Sequence, residues 1–136
     1  MRIAYLTTDE VNEHLVEGLA AAYGLTLCPL APKDPPPDEW FDAVLCDWDS
    51  WPVERRQELL AQLPAGRRPP VVAVHGYNLG DGQAKALRRH GIAIHRRLRP
   101  RVFRFLRREI RAVRASQGRG RSSPAKQAAG QPRSVF

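Results

Sequence analysis

The sequence predicts a single α/β domain built on a five-stranded parallel sheet, doubly wound with helices on both faces. Three observations carry that expectation: five short apolar runs lacking strict polar alternation, helical periodicities between them, and a length of 136 residues, which suits one hydrophobic core plus an appendage. Parallel neighbours need right-handed crossovers, which the intervening helices supply. An apolar fraction of 43%, with three Trp, four Phe and three Tyr, is enough to build that core without disulfides or metal.

Residues 3–7 (IAYLT) form the first buried strand. Thr8 or Asp9 then caps a helix whose apolar stripe is Val11, Leu15, Leu19 and Ala22, and Gly24 ends it. Residues 25–30 are the second strand. The following APKDPPPDEW holds four prolines, so the second helix is expected to be reduced or missing. Residues 42–47 (DAVLCD) are the third strand, and Pro52 opens a helix with Val53, Leu59, Leu60 and Leu63 on its buried side. Residues 71–75 (VVAVH) are the clearest strand in the chain. The loop GYNLGDG leads to a helix over residues 83–90, stopped by Gly91, and residues 92–95 are the fifth strand.

Pro100 starts the last helix, with Val102, Phe103, Leu106, Ile110 and Val113 on one side and Arg101, Arg104, Arg108 and Arg111 on the other. After Ser116 the composition turns to Gly, Ser, Gln, Pro and Arg, which cannot bury a core. The expected division is an α/β domain over residues 1–115 and a basic, disordered tail over residues 116–136.

Charge and cysteine content narrow the function. Residues 1–50 carry two basic and ten acidic residues, a net of −8, whereas residues 51–136 carry 20 basic and four acidic, a net of +16. Separate acidic and basic surfaces follow, the second suited to phosphates or an acidic protein face. Cys28 and Cys46 sit within apolar strands, as free thiols do in a reducing compartment. With neither a run of about 20 apolar residues nor a signal-peptide pattern, the expected location is cytoplasmic, away from membranes.

In an open parallel sheet, function gathers at the carboxyl ends of the strands. That rule selects Thr7, Thr8, Asp9, Asp47, Trp48, Asp49, His75, Gly76 and residues 95–97. The four histidines, His14, His75, His90 and His95, lack metal-ligand spacing, and no nucleophile motif such as G-x-S-x-G accompanies His75 and Asp47. GYNLGDG matches neither a P-loop nor a dinucleotide fingerprint. No enzymatic activity, metal or cofactor is expected.

Over residues 1–115 the chain resembles the receiver domain of two-component response regulators. FDAVLCDWDSWP resembles the third strand, ending at the phosphoacceptor aspartate, which implies that role for Asp47. PPVVAVHGYN resembles the fourth strand and GIAIHRRLRP the fifth with its Lys-Pro segment. The resemblance implies a flavodoxin-like sheet of order 2-1-3-4-5. It also locates the departures. Thr7 and Thr8 stand where receivers hold Mg²⁺ with two acids, and neutral hydroxyls do not replace that charge. Asp9 falls one position late and Asp49 two positions beyond Asp47. His75 replaces a small hydroxyl residue, and Arg96 or Arg97 stands nearest to the absent lysine.

These departures imply a pseudo-receiver: a phosphorylation-independent signalling or regulatory module that acts by protein binding. Receivers commonly use the face built from the fourth helix, fifth strand and fifth helix for dimerisation or output contacts, which nominates Arg101, Arg104, Arg108 and Arg111 to meet an acidic partner or a second copy. Two alternatives stay open. Eleven arginines between Arg96 and Arg121 could contact a nucleic-acid backbone without sequence preference. Asp47 could instead remain a Mg²⁺-dependent phosphoacceptor, with Mg²⁺ the only cofactor then required.

Overall fold

A computed structural model describes residues 1–32, 41–56 and 70–127, with side chains described as far as residue 117. The strands are β1 (Arg2–Leu6), β2 (Thr26–Leu30), β3 (Ala43–Asp47), β4 (Val71–His75) and β5 (Ala93–His95). Three helices accompany them: α1 (Glu10–Ala22), α2 (Asp81–Arg89) and α3 (Pro100–Gln127). Residues 53–56, just after Pro52, are also helical. All four strand pairings are parallel and the order is β2-β1-β3-β4-β5, a flavodoxin-like topology. The expected reduction of the second helix falls on residues 33–40, outside the described residues.

Alternation along the strands divides the core in two. On one face Ile3, Tyr5, Ala43, Leu45, Val71 and Ala73 pack against Val16 and Ala20 of α1 and against Val102, Phe103, Leu106 and Ile110 of α3. On the other, Cys46, Val72 and Val74 pack with Trp48, Leu79, Ile92 and the α2 residues Ala84 and Leu87. Full burial of each large apolar side chain contributes about 1.5–3 kcal/mol, so the Val102-Phe103-Leu106-Ile110 stripe is a principal anchor of α3.

Asp9 caps α1, its carboxylate accepting the backbone N–H groups of Val11 and Asn12. Gly24 takes a φ of 73° after its end, the left-handed conformation that a glycine adopts without a Cβ clash. The buried face of α1 keeps Leu19 of the expected stripe, which packs against the core, but not Val11, Leu15 or Ala22. Val11 is 75% exposed and Leu15 49% exposed, while Val16 and Ala20 meet the sheet. Both stripes satisfy a 3.6-residue period, and packing against the sheet and α3 selects between them.

Val53, expected on a buried helix face, is also exposed, and its expected companions Leu59, Leu60 and Leu63 lie outside the described residues. Of the cysteines, Cys46 is fully buried and Cys28 only partly so, on the edge strand β2, and both are free thiols. Helix α3 runs through Gln127, beyond the change of composition at Ser116. Extending a formed helix is easier than nucleating one. Residues 128–136 of the expected tail lie outside the described residues. Among the described residues no helix is long and apolar enough to cross a membrane.

Candidate functional site

The face of the sheet that packs on α1 and α3 ends in a row of polar side chains. In register, Asp47 lies opposite His75 and His75 opposite His95. Thr7 follows β1 one residue beyond the Leu6–Cys46 pair, which brings it beside Asp47. The chain thus gathers residues from four strand ends onto one edge.

Asp47 is only 1% exposed. Its Oδ2 accepts hydrogen bonds from Thr7 Oγ1 at 2.9 Å and Asn12 Nδ2 at 3.0 Å. Thr7 Oγ1 also accepts the Asp9 N–H at 3.0 Å and lies 3.2 Å from Ser50 Oγ. Ser50 closes the layer above, its Oγ accepting the Thr8 N–H at 3.0 Å and its carbonyl accepting the Thr8 hydroxyl at 2.8 Å. The cap at Asp9 sets the first turn of α1, and that turn carries Asn12 to Asp47. A buried carboxylate is tolerable only when its lone pairs find donors, and here a threonine and an asparagine provide them.

Tyr5 and His75 extend the polar layer beneath the edge. The Tyr5 hydroxyl lies 2.7 Å from His75 Nε2, and the two rings stack with centroids 5.7 Å apart. Burial lowers the His75 pKa below its ordinary value, against the opposing pull of Asp47 and Asp49. Burial, reinforced by the Asp47 charge, pushes the Tyr5 phenol up. A neutral phenol therefore meets a neutral imidazole, and their hydrogen bond brings no net charge into the core. His95, partly buried, sets its ring edge-on to Phe105 at 5.1 Å; burial, then Arg101 and His75, depress its pKa.

Several residues expected at a degraded pocket have other duties. Asp49 clamps the loop after β4, accepting the Tyr77 N–H at 2.7 Å and the Asn78 N–H at 3.1 Å. Gly76 permits that approach, because a Cβ there would come within 3.1 Å of Trp48 Cβ and 3.3 Å of Asp49 Oδ1. Arg96, the expected stand-in for a lysine beside Asp47, instead donates to the Leu79 carbonyl and pairs with Asp81 at 3.3 Å. The guanidinium is drawn to the start of α2, where an acid and an open carbonyl offer it partners. His75 turns to Tyr5. Trp48 belongs to the opposite face, under the Arg56 guanidinium at 4.8 Å.

Beyond Asp47 itself the donor set offers Mg²⁺ little charge. The ion needs several charged oxygens in octahedral array, but Thr7 and Thr8 are neutral, while Asp9 and Asp49 are committed to backbone donors. Among the described residues no cluster of three or more His, Cys, Asp or Glu side chains could hold a metal.

The nominated arginines form a different kind of surface. Arg101, Arg104, Arg108 and Arg111 are exposed, on the side of α3 opposite its buried stripe. Arg108 lies 3.7 Å from Glu109 and over the Phe105 ring at 5.7 Å. Farther along, Arg114 bonds Asp42 at 3.0 Å. Burial alone would raise the Asp42 pKa, but hydrogen bonds from the Arg2 N–H and Arg114 outweigh it and hold the carboxyl below its ordinary value.

Tyr5, Asn12 and Ser50 were not anticipated as members of the edge. Asn12 carried a usable signal, falling three residues after the capping Asp9 and hence on the turn facing the strand ends. Tyr5 reads as one more apolar residue of a buried strand. No family model matches the chain, and no curated protein matches its sequence.

Proposed function

We propose that the chain is a receiver-like regulatory module that acts by protein–protein contact, without catalysis and without a phosphorylation switch. The observation that carries this reading is the closed state of Asp47: it is buried, and its Oδ2 accepts hydrogen bonds from Thr7 and Asn12. Phosphoryl transfer builds up charge that a metal or a cationic side chain must offset. The residues around Asp47 are neutral donors, and Arg96 is engaged elsewhere. His75 is likewise engaged through Nε2 with Tyr5. The exposed arginines of α3 then supply the working surface, suited to an acidic protein face.

Incubation with a small-molecule phosphodonor and Mg²⁺, followed by intact-mass measurement, tests the reading. The expected result is an unchanged mass. An acid-labile phosphate on the wild type that disappears in Asp47→Ala overturns it.

A further inference from the structure

The outward side of α1 is as unusual as that of α3. Val11 and Leu15 are one helical turn apart and 75% and 49% exposed, half of the large hydrophobic residues exposed among those described. Gly18 and Ala22 continue the same stripe at helical spacing, and both are exposed. Beside it lie the exposed Glu10 and Glu17, and α1 contains no Lys or Arg. The result is an apolar strip with an acidic flank.

Helices α1 and α3 pack on the same face of the sheet and touch one another. One side of the molecule therefore presents an acidic-apolar helix next to a helix whose outward face carries Arg101, Arg104, Arg108 and Arg111. A two-fold axis between two such faces sets α1 of each copy against α3 of the other. Both contacts then join opposite charges, and the arrangement closes on itself. The aliphatic stems of the arginines are long enough to cover Val11 and Leu15 while their guanidinium groups reach the glutamates.

We infer that the partner of the arginine face is a second copy of this chain, docked through the Val11-Leu15 strip and Glu10 and Glu17 of α1. The inference rests on the protein-binding reading and gives it a specific occupant. Charge complementarity argues for it: the net of −8 over residues 1–50 and +16 over residues 51–136 gives every copy both halves of the contact.

Sedimentation velocity on the full chain, over a concentration series at low and high salt, tests it with two charge-reversed variants. One is Glu10→Arg/Glu17→Arg and the other Arg104→Glu/Arg111→Glu. The wild type should sediment at twice the chain mass at low salt and dissociate as salt rises. Each variant alone should sediment at the chain mass, and an equimolar mixture of the two should recover the doubled mass, since opposite charges again face each other. A wild type that stays monomeric at every concentration overturns the inference. So does a dimer indifferent to both reversals, or two monomeric variants that fail to associate on mixing. None of these outcomes produces a phosphate on Asp47, so failure of the pairing is distinguishable from failure of the phosphorylation-independent reading.

Discussion

The carboxyl edge of the sheet and the outward face of α3 are both rich in ionisable side chains, yet hold them in opposite ways. At the edge, Asp47 and His75 are nearly inaccessible and each has a partner close by. On α3, Arg101, Arg104 and Arg111 project into solvent with their charges exposed. A buried polar group without its partner costs far more than an exposed one, so the edge has a structural reason to stay closed and the helix face has none. The contrast separates polar residues that maintain the fold from polar residues free to meet something else.

The largest expected effect probes the two sides of α3. Phe103→Ala should lower unfolding free energy by about 3–5 kcal/mol, as large-to-small core substitutions do, whereas Arg104→Ala should stay within about 0.5 kcal/mol. Urea titration of both variants checks the difference. Comparable losses would mean that the arginine face is also part of the fold's support.

At the edge, Thr7→Val keeps the shape but removes the donor to Asp47. A hydrogen bond to a charged acceptor is worth about 1.5–3 kcal/mol, and denaturant midpoints should fall accordingly. No measurable change would argue that the Asp47 carboxylate finds other donors and that the edge is looser than its geometry.

A smaller effect concerns pH. Burial lowers the proton affinity of His75, with Asp47 and Asp49 opposing and His95, also depressed, close by under the influence of Arg101. The unfolded chain therefore binds more protons than the folded chain once pH drops below the ordinary value of 6.5. The stabilising contribution of neutral His75 is full above that pH and is lost as pH falls through the window beneath it. Urea midpoints measured across that window should decline with acidity, and His75→Gln should flatten the slope. An unchanged slope in that variant would assign the loss to His95 or to other groups.

How much of this was legible in the sequence differs between the same two regions. The strands are local: VVAVH coincides with β4, and the other four agree to within a residue or two at their ends, because β-branched and apolar runs bounded by Gly, Pro and Asp leave few alternatives. The buried stripe of α3 was equally plain, since Arg101, Arg104, Arg108 and Arg111 lie opposite its Val102-Phe103-Leu106-Ile110 set. Helix α1 was ambiguous because Val11 and Leu15 fit the period as well as Val16 and Ala20 do, and only tertiary placement separates them. The edge was harder again. Which residue answers Asp47 depends on where the loops after β1 and β3 cross, and Thr7, Asn12 and Ser50 are distributed over three segments whose meeting no local pattern encodes. Arg96 does not reach Asp47 for a related reason, because the Leu79 carbonyl and Asp81 at the start of α2 compete for it.

The claim that the edge is closed can be tested without assuming any partner. A ligand that binds only the folded chain raises its unfolding free energy in proportion to the logarithm of its concentration over its dissociation constant. Denaturant midpoints of the wild type and of Asp47→Ala, measured with and without millimolar Mg²⁺, therefore report directly on whether Asp47 holds a cation. The account predicts the same midpoint for the wild type in both conditions. A midpoint that rises with Mg²⁺ in the wild type and fails to rise in Asp47→Ala would contradict it.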